Sequence, residues 1–95
     1  MRVRYTPRAF ADREAIFTYL DRRNPRAARE IKAFIKKSIS ELSRFPKRFK
    51  FIEEIGAHAL WLGRYPYVVY YRVRADEVII VHIRHAAQRQ WEGDA

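Results

Sequence analysis

Cysteine is absent from the 95 residues, so disulfides and thiolate metal sites are excluded. Glycine occurs three times and always singly, which rules out the Gly-rich loop that wraps phosphates. Long apolar runs are missing as well: the longest are of strand length, far short of the ~20 residues that span a membrane, and no secretory leader is read. The expectation is a soluble, cytoplasmic protein with no membrane association. A chain of this length buries roughly 60 to 65% of its unfolded surface, enough for one core, so residues 1–95 are expected to form a single domain. The three histidines, His58, His82 and His85, lack the i, i+4 helical spacing of a zinc pair, and neither metal nor cofactor is expected. Ser38, Ser40 and Ser43 fall on one helical stretch with no His or acid placed by sequence to activate them, which argues against a hydrolase triad. Glu53 and Glu54 are adjacent and would point to opposite faces of a strand, so they do not pair as acid and base.

What is abundant is positive charge, and it is unevenly placed. The net charge is +9; residues 1–50 hold 15 Lys/Arg against 5 Asp/Glu, whereas residues 51–95 hold 5 against 6. Such a field predisposes the first half toward a polyanion, either nucleic acid or an acidic protein segment. Taken singly, each Lys or Arg is an ordinary solvating side chain.

Hydrophobic patterning supplies the architecture. From Tyr65 to Arg84 the chain reads YPYVVYYRVRADEVIIVHIR, two alternating strands around a polar turn. A three-residue loop, Ala75-Asp76-Glu77, would pair Val73 with Ile79, Tyr71 with Val81 and Val69 with Ile83, gathering these apolar side chains on one face. The opposite face would then carry Arg72 beside Ile80, Tyr70 beside His82 and Val68 beside Arg84. Arg2 to Tyr5 is a short strand. Thr6-Pro7 and Asn24-Pro25 each combine a capping side chain with a proline in the first helical turn, so helices run from Pro7 to about Arg22 and from Pro25 to about Arg44. Ala9, Phe10, Ile16, Phe17 and Leu20 make the apolar stripe of the first, and Ala28, Ile31, Ile35, Ile39 and Leu42 that of the second. Their short linker implies an antiparallel hairpin whose stripes are covered by the sheet. Arg29, Lys32, Lys36 and Lys37 lie away from the stripe and make its outer side basic. Phe49 to Glu53 and His58 to Leu62 are further strands, and the tail frays beyond Trp91. The fold is α+β: an N-terminal strand, a two-helix antiparallel hairpin, then an antiparallel sheet of three to four strands.

The residues that could do work form a metal-free basic and aromatic surface: Lys47, Arg48, Lys50, Arg64, Arg72, Arg84, His82, His85 and Arg89, with Tyr65, Tyr70 and Trp91. This set could hold a phosphodiester, stack a base and move protons for cleavage through a ribose 2′-hydroxyl. Against that, Tyr70 and Tyr71 are good strand formers, Trp61 packs readily on a sheet and Trp91 serves as a lid over the tail. Arg84 is singled out because it ends the central hairpin on what should be the exposed face.

Five stretches, VRYTPRAFAD, RRNPRAAREI, SELSRFP, GAHALWLGRYPYVVYYRV and EVIIVHIRHAAQRQW, occur in an order and spacing that resembles the RelE/ParE superfamily of toxins from type II toxin-antitoxin, or plasmid stabilisation, systems. The resemblance covers Val3 to Trp91. It implies the fold just described and a cognate antitoxin of ParD-like type, whose acidic, disordered C-terminal segment folds over the toxin. The helical hairpin with its NPRAA linker is closest to the ParE-like members, which poison DNA gyrase and are not enzymes. The RelE-like alternative is a metal-independent endoribonuclease that cleaves messenger RNA on the ribosome. On that alternative Arg84, His85, Lys50 and Arg64 would be the catalytic set; on either, Arg72, Arg84, Arg89, Tyr70 and Trp91 are candidates for target or nucleic-acid contact. Many ParE-like sequences carry Gly-x-Arg-x-Leu where this chain has Gly56-Ala57-His58-Ala59-Leu60, and Arg where it has Gln88. A third reading from another class is a non-toxic nucleic-acid or protein-binding module on the same fold.

Overall fold

Both proline-marked helix starts form as their chemistry requires. In the computed structural model, which describes residues 1–93, strand β1 spans Arg2–Tyr5, helix α1 Pro7–Arg23 and helix α2 Pro25–Ser40. The Thr6 hydroxyl accepts from the Ala9 N–H at 3.1 Å and the Asn24 side-chain oxygen from the Ala27 N–H at 3.1 Å, each satisfying a backbone donor the helix cannot. Asn24 also closes α1, its N–H donating to the Leu20 carbonyl, so one extended residue ends one helix and caps the next. Asp21 meets Lys32 and Phe17 meets Lys36 across the hairpin. The partner advances along α2 as the position retreats along α1, the signature of antiparallel packing. The second helix stops at Ser40 and tightens into a 3-10 turn over Glu41–Ser43, which keeps Leu42 at 1% exposure.

Four strands follow: β2 (Phe51–Ile52), β3 (Ala57–Trp61), β4 (Tyr67–Arg74) and β5 (Glu77–His85). The five strands form one sheet in the order β1-β5-β4-β3-β2, with β1 parallel to β5 and all other pairs antiparallel. The hairpin covers one face. There Ile35, Ile39 and Leu42 pack with Leu60, Val69, Tyr71, Val78, Ile80 and Ile83. Ile31 and Phe34 are partly buried against this core, whereas Phe10 stays 44% exposed and is not part of the α1 stripe.

The central hairpin departs from the expected register at its turn. Val69 pairs with Ile83, Tyr70 with His82 and Val68 with Arg84, as read from the sequence, but Tyr71 pairs with Ile80 and Val73 with Val78. Val81 is therefore an extra residue, a bulge between Tyr70 and Tyr71 of the partner strand, and the loop shrinks to Ala75-Asp76. Ala75 takes φ 51° to close it, a conformation uncommon for a residue with a Cβ. The bulge sends Ile79 and Val81 to the face opposite the helices, where they join Val68, Tyr70, Ala59 and Trp91 in a second, smaller apolar cluster. The sheet is thus buried on both sides near its centre. Gly93, at φ 91°, still lies against Ile55; the fraying expected beyond Trp91 otherwise concerns residues 94–95, which lie outside the described residues.

The parallel edge is fastened by charge. Glu77 accepts from Arg4 Nε at 3.0 Å and from Arg2 Nη2 at 3.2 Å, and these two hydrogen bonds, Arg4's the stronger, hold its carboxyl below the ordinary glutamate value. A depressed carboxylate stabilises the fold above its unfolded pKa, and that contribution is lost as pH falls through the folded pKa. Because both guanidiniums are open to solvent the effect is small and screened by salt. The expected result is a melting temperature for Glu77→Gln below that of the parent at neutral pH, with the gap closing in acid; a gap that persists below the folded pKa would contradict this assignment.

Candidate functional site

The outer-face residues are assembled by the tail folding back on the sheet. Arg84, expected on an exposed face, is only 5% exposed, because the segment after β5 crosses over it. Its Nε donates to the Tyr70 hydroxyl at 2.8 Å, and Nη1 donates to the carbonyls of His85, Ala86 and Gln88 at 3.3, 3.2 and 3.4 Å. The guanidinium also lies 5.6 Å from the ring of Trp61 and 5.8 Å from that of Tyr70. A rigid fork with five donors is the group suited to collecting several carbonyls at once. Arg84 therefore acts as a strap that holds the tail. Beyond it Trp91 seals the sheet, its ring 4.9 Å from Tyr70 and 5.3 Å from His82, with its indole N–H buried and, among the described residues, without a hydrogen-bond partner. The lid expected of Trp91 is in place. Trp61, expected to pack on the sheet, is instead 59% exposed, with the Arg84 guanidinium against its ring.

A second neighbourhood lies between α1 and the end of β5. A groove of 580 Å³ is lined by residues that include Arg8, Asp12, Tyr19, Tyr67, His82 and His85. Past the end of β1, the Asp12 carboxylate takes over as partner of the β5 edge: one oxygen accepts from the Ile83 N–H at 3.1 Å and sits 2.7 Å from His82 Nδ1. No sequence signal marks Asp12, since its partners lie 70 and 71 residues away. His85 accepts the Ala87 N–H on Nδ1 at 3.0 Å and sets its ring edge-on to Tyr67 at 5.4 Å. That bond selects the tautomer with the ring N–H on Nε2. Burial, reinforced by the nearby Tyr19, raises the Tyr67 hydroxyl pKa, so Tyr67 is a neutral phenol at physiological pH.

The remaining candidates are dispersed. Arg72 donates to the carbonyls of Gly56 and Ile55 at 2.9 and 3.3 Å, stapling the turn between β2 and β3. Arg64 reaches Glu30 on α2 at 3.4 Å and packs near Phe34 and Tyr65. Lys50 is exposed beside β3, where its carbonyl accepts from the Ala59 N–H. Arg89 is exposed and shares a shallow pocket with Arg8, His82 and Trp91. Arg84, Tyr70 and Trp91 come together; Arg84 and His85 point to opposite faces of β5, and Lys50 and Arg64 each belong to separate surroundings. Among the described residues no group of three or more His, Asp or Glu is placed to hold a metal ion, and no helix is long and apolar enough to cross a membrane.

A strand, a helical hairpin and a five-stranded mixed sheet closed by a strapped tail define a small α+β domain of the kind found among toxins of type II toxin-antitoxin pairs. Residues 3–90 match the family described as "ParE toxin of type II toxin-antitoxin system, parDE", and the chain belongs to that family. It is similar to a solved chain described as "Chromosomal ParDE TA system from P. aeruginosa", with 25% identity, a TM-score of 0.76, and coverage of 90% of this chain and 95% of that one. No curated protein sequence matches the chain.

Proposed function

We propose that this ParE-family toxin inhibits DNA gyrase in the cytoplasm, without a cofactor, and is neutralised by a cognate ParD-like antitoxin whose acidic, disordered C-terminal segment folds over it. The family membership supports a toxin of this class, and the similar solved chain comes from a ParDE system. The observation that favours gyrase over messenger RNA is the fate of Arg84. A ribonuclease must aim that guanidinium at a scissile phosphate, with a base and an acid within hydrogen-bond reach of the same atoms. Here Arg84 is enclosed by Tyr70 and three tail carbonyls, His85 lies on the other face, and Lys50 and Arg64 do not converge on either.

Induced expression should arrest division with filamentation and a DNA-damage response while messenger RNA stays intact, and the purified toxin should inhibit gyrase supercoiling in vitro. His85→Ala should leave both effects within a few-fold of the parent. If His85 were instead a general acid or base, its loss would cost about 10²- to 10⁴-fold in rate. Rapid ribosome-dependent cleavage of messenger RNA, abolished by His85→Ala in a folded protein, would sink the gyrase reading.

A further inference from the structure

The hairpin's outer face carries a row of cations that form no ion pair among the described residues, although Lys36 also lies against the Phe17 ring. Arg26, Arg29, Lys36 and Lys37 sit on α2 at i, i+3, i+10 and i+11, so they share one side of the helix. At 1.5 Å rise per residue the row is roughly 16 Å long. Among the described residues none of these four forms an ion pair. The carboxylates nearby are already committed, Asp21 to Lys32 at 2.9 Å and Glu30 to Arg64 at 3.4 Å. Arg29, Lys32 and Lys36 also border a shallow groove of 460 Å³ whose other walls are Asp21, Pro25 and Ala33.

The lining decides what kind of partner fits. Protein segments dock through large apolar or aromatic anchors seated in pockets, and this groove offers none. None of the half-exposed aromatic side chains, Phe10, Tyr19, Phe45, Phe51 and Trp61, lines it. Charge without anchors, ranged along one side of a rigid rod, is the complement of a phosphodiester backbone. One strand of a duplex carries a negative charge per roughly 3.4 Å of axis, so the row matches about five successive phosphates.

We propose that the outer face of the helical hairpin binds the phosphodiester backbone of a nucleic-acid duplex, independently of base sequence. Arg26, Arg29, Lys36 and Lys37 supply the contacts. Neutralising four phosphates releases their counterions, so log K should fall against log salt with a slope of about −3.6. Between 50 and 200 mM salt that is a loss of roughly 150-fold.

Fluorescence anisotropy of the full chain with labelled 20-base-pair duplexes tests this. Two DNA duplexes of unrelated sequence should bind within about twofold of each other, because phosphate contacts carry no sequence information. Arg29→Gln/Lys36→Gln/Lys37→Gln, all at exposed positions, should keep the parental melting temperature while the slope falls to about −0.9. A matching triple at Arg44, Lys47 and Arg48 should leave the slope unchanged. A duplex of RNA in parallel tells which nucleic acid is preferred, and binding of either in this manner supports the assignment. The proposal fails if neither duplex binds at 50 mM salt, if the α2 triple keeps the parental slope, or if the second triple abolishes binding instead. It also fails if poly-glutamate of equal charge binds as tightly as the duplexes, which would make the face a dock for acidic protein segments.

Discussion

Ile35→Asp should unfold the protein or bring it to the edge of unfolding. Ile35 is 1% exposed and sits in the middle of α2, where it packs against the helix-covered face of the sheet. The substitution removes a buried aliphatic side chain, a loss of about 2 to 5 kcal/mol by truncation alone, and adds a carboxyl that must be either desolvated or neutralised. Domains of this kind have total stabilities of roughly 5 to 15 kcal/mol, so the change consumes much or all of it. A melting temperature lower by about 15 °C or more is expected from the 4 to 8 °C per kcal/mol typical of this size, or no cooperative transition at all. Ile35→Val, which keeps the chemistry and removes one methyl, should cost only about 1 kcal/mol. A folded, soluble Ile35→Asp protein with the parental melting temperature would mean that α2 turns a different side to the sheet.

The second large effect is expected at Arg84. Arg84→Ala leaves the Tyr70 hydroxyl and the carbonyls of His85, Ala86 and Gln88 without their shared donor. Hydrogen bonds to a charged group contribute about 1.5 to 3 kcal/mol, and even with water replacing some of them a loss near 3 kcal/mol follows. More diagnostic than the loss itself is its location. Releasing the strap should free the tail, so Trp91 should lose its place against Tyr70 and His82, and proteolysis should begin after the end of β5. In a Trp61→Phe background Trp91 is the sole indole, and its emission should shift to the red. Arg84→Lys should recover little, since an ammonium cannot fork to Tyr70 and three carbonyls. A protected tail with unshifted Trp91 emission would show that other contacts hold it.

Which of these features could be read in advance follows from the range over which each is determined. The helix starts at Thr6 and Asn24 are local: a capping side chain and the proline beside it settle the geometry within four residues, and both caps form. The α2 stripe is equally local. Strand parity from Val68 to Tyr70 is also correct, because alternation alone fixes it. Past Tyr70 the alternation of Val78, Ile79, Ile80 and Val81 is uninformative, since all four are apolar, and each side of the sheet accepts them. The bulge at Val81 and the left-handed Ala75 carry no glycine or asparagine to announce them. The enclosure of Arg84 has a longer-range cause. Arg84 ends a strand among polar neighbours, as a surface residue would, and only the return of the tail with Trp91 encloses it. Asp12 carries no local signal either, because a carboxylate on a helix surface looks like a solvated one until the β5 edge arrives beside it.

The parallel pairing of β1 with β5 has a consequence for how the toxin comes into being. Arg2 is opposite Glu77 and Tyr5 opposite Ile80, so this ladder closes over 75 residues, while Asp12 reaches His82 and Ile83 across a similar distance. Contacts of such sequence separation raise the contact order and slow folding, because the entropy of closing the loop is lost before the contact is gained. On the ribosome the problem is one of timing. The first strand and both helices emerge early, with their apolar stripes uncovered, and β5, the strand that joins β1 to the rest of the sheet, is made after all the other strands. For several seconds at ordinary elongation rates of about 5 to 20 residues per second the nascent chain is a basic, sticky hairpin with no sheet. A toxin built this way cannot act before β5 has been made, and a chain terminated before β5 would have no folded form in which to do harm.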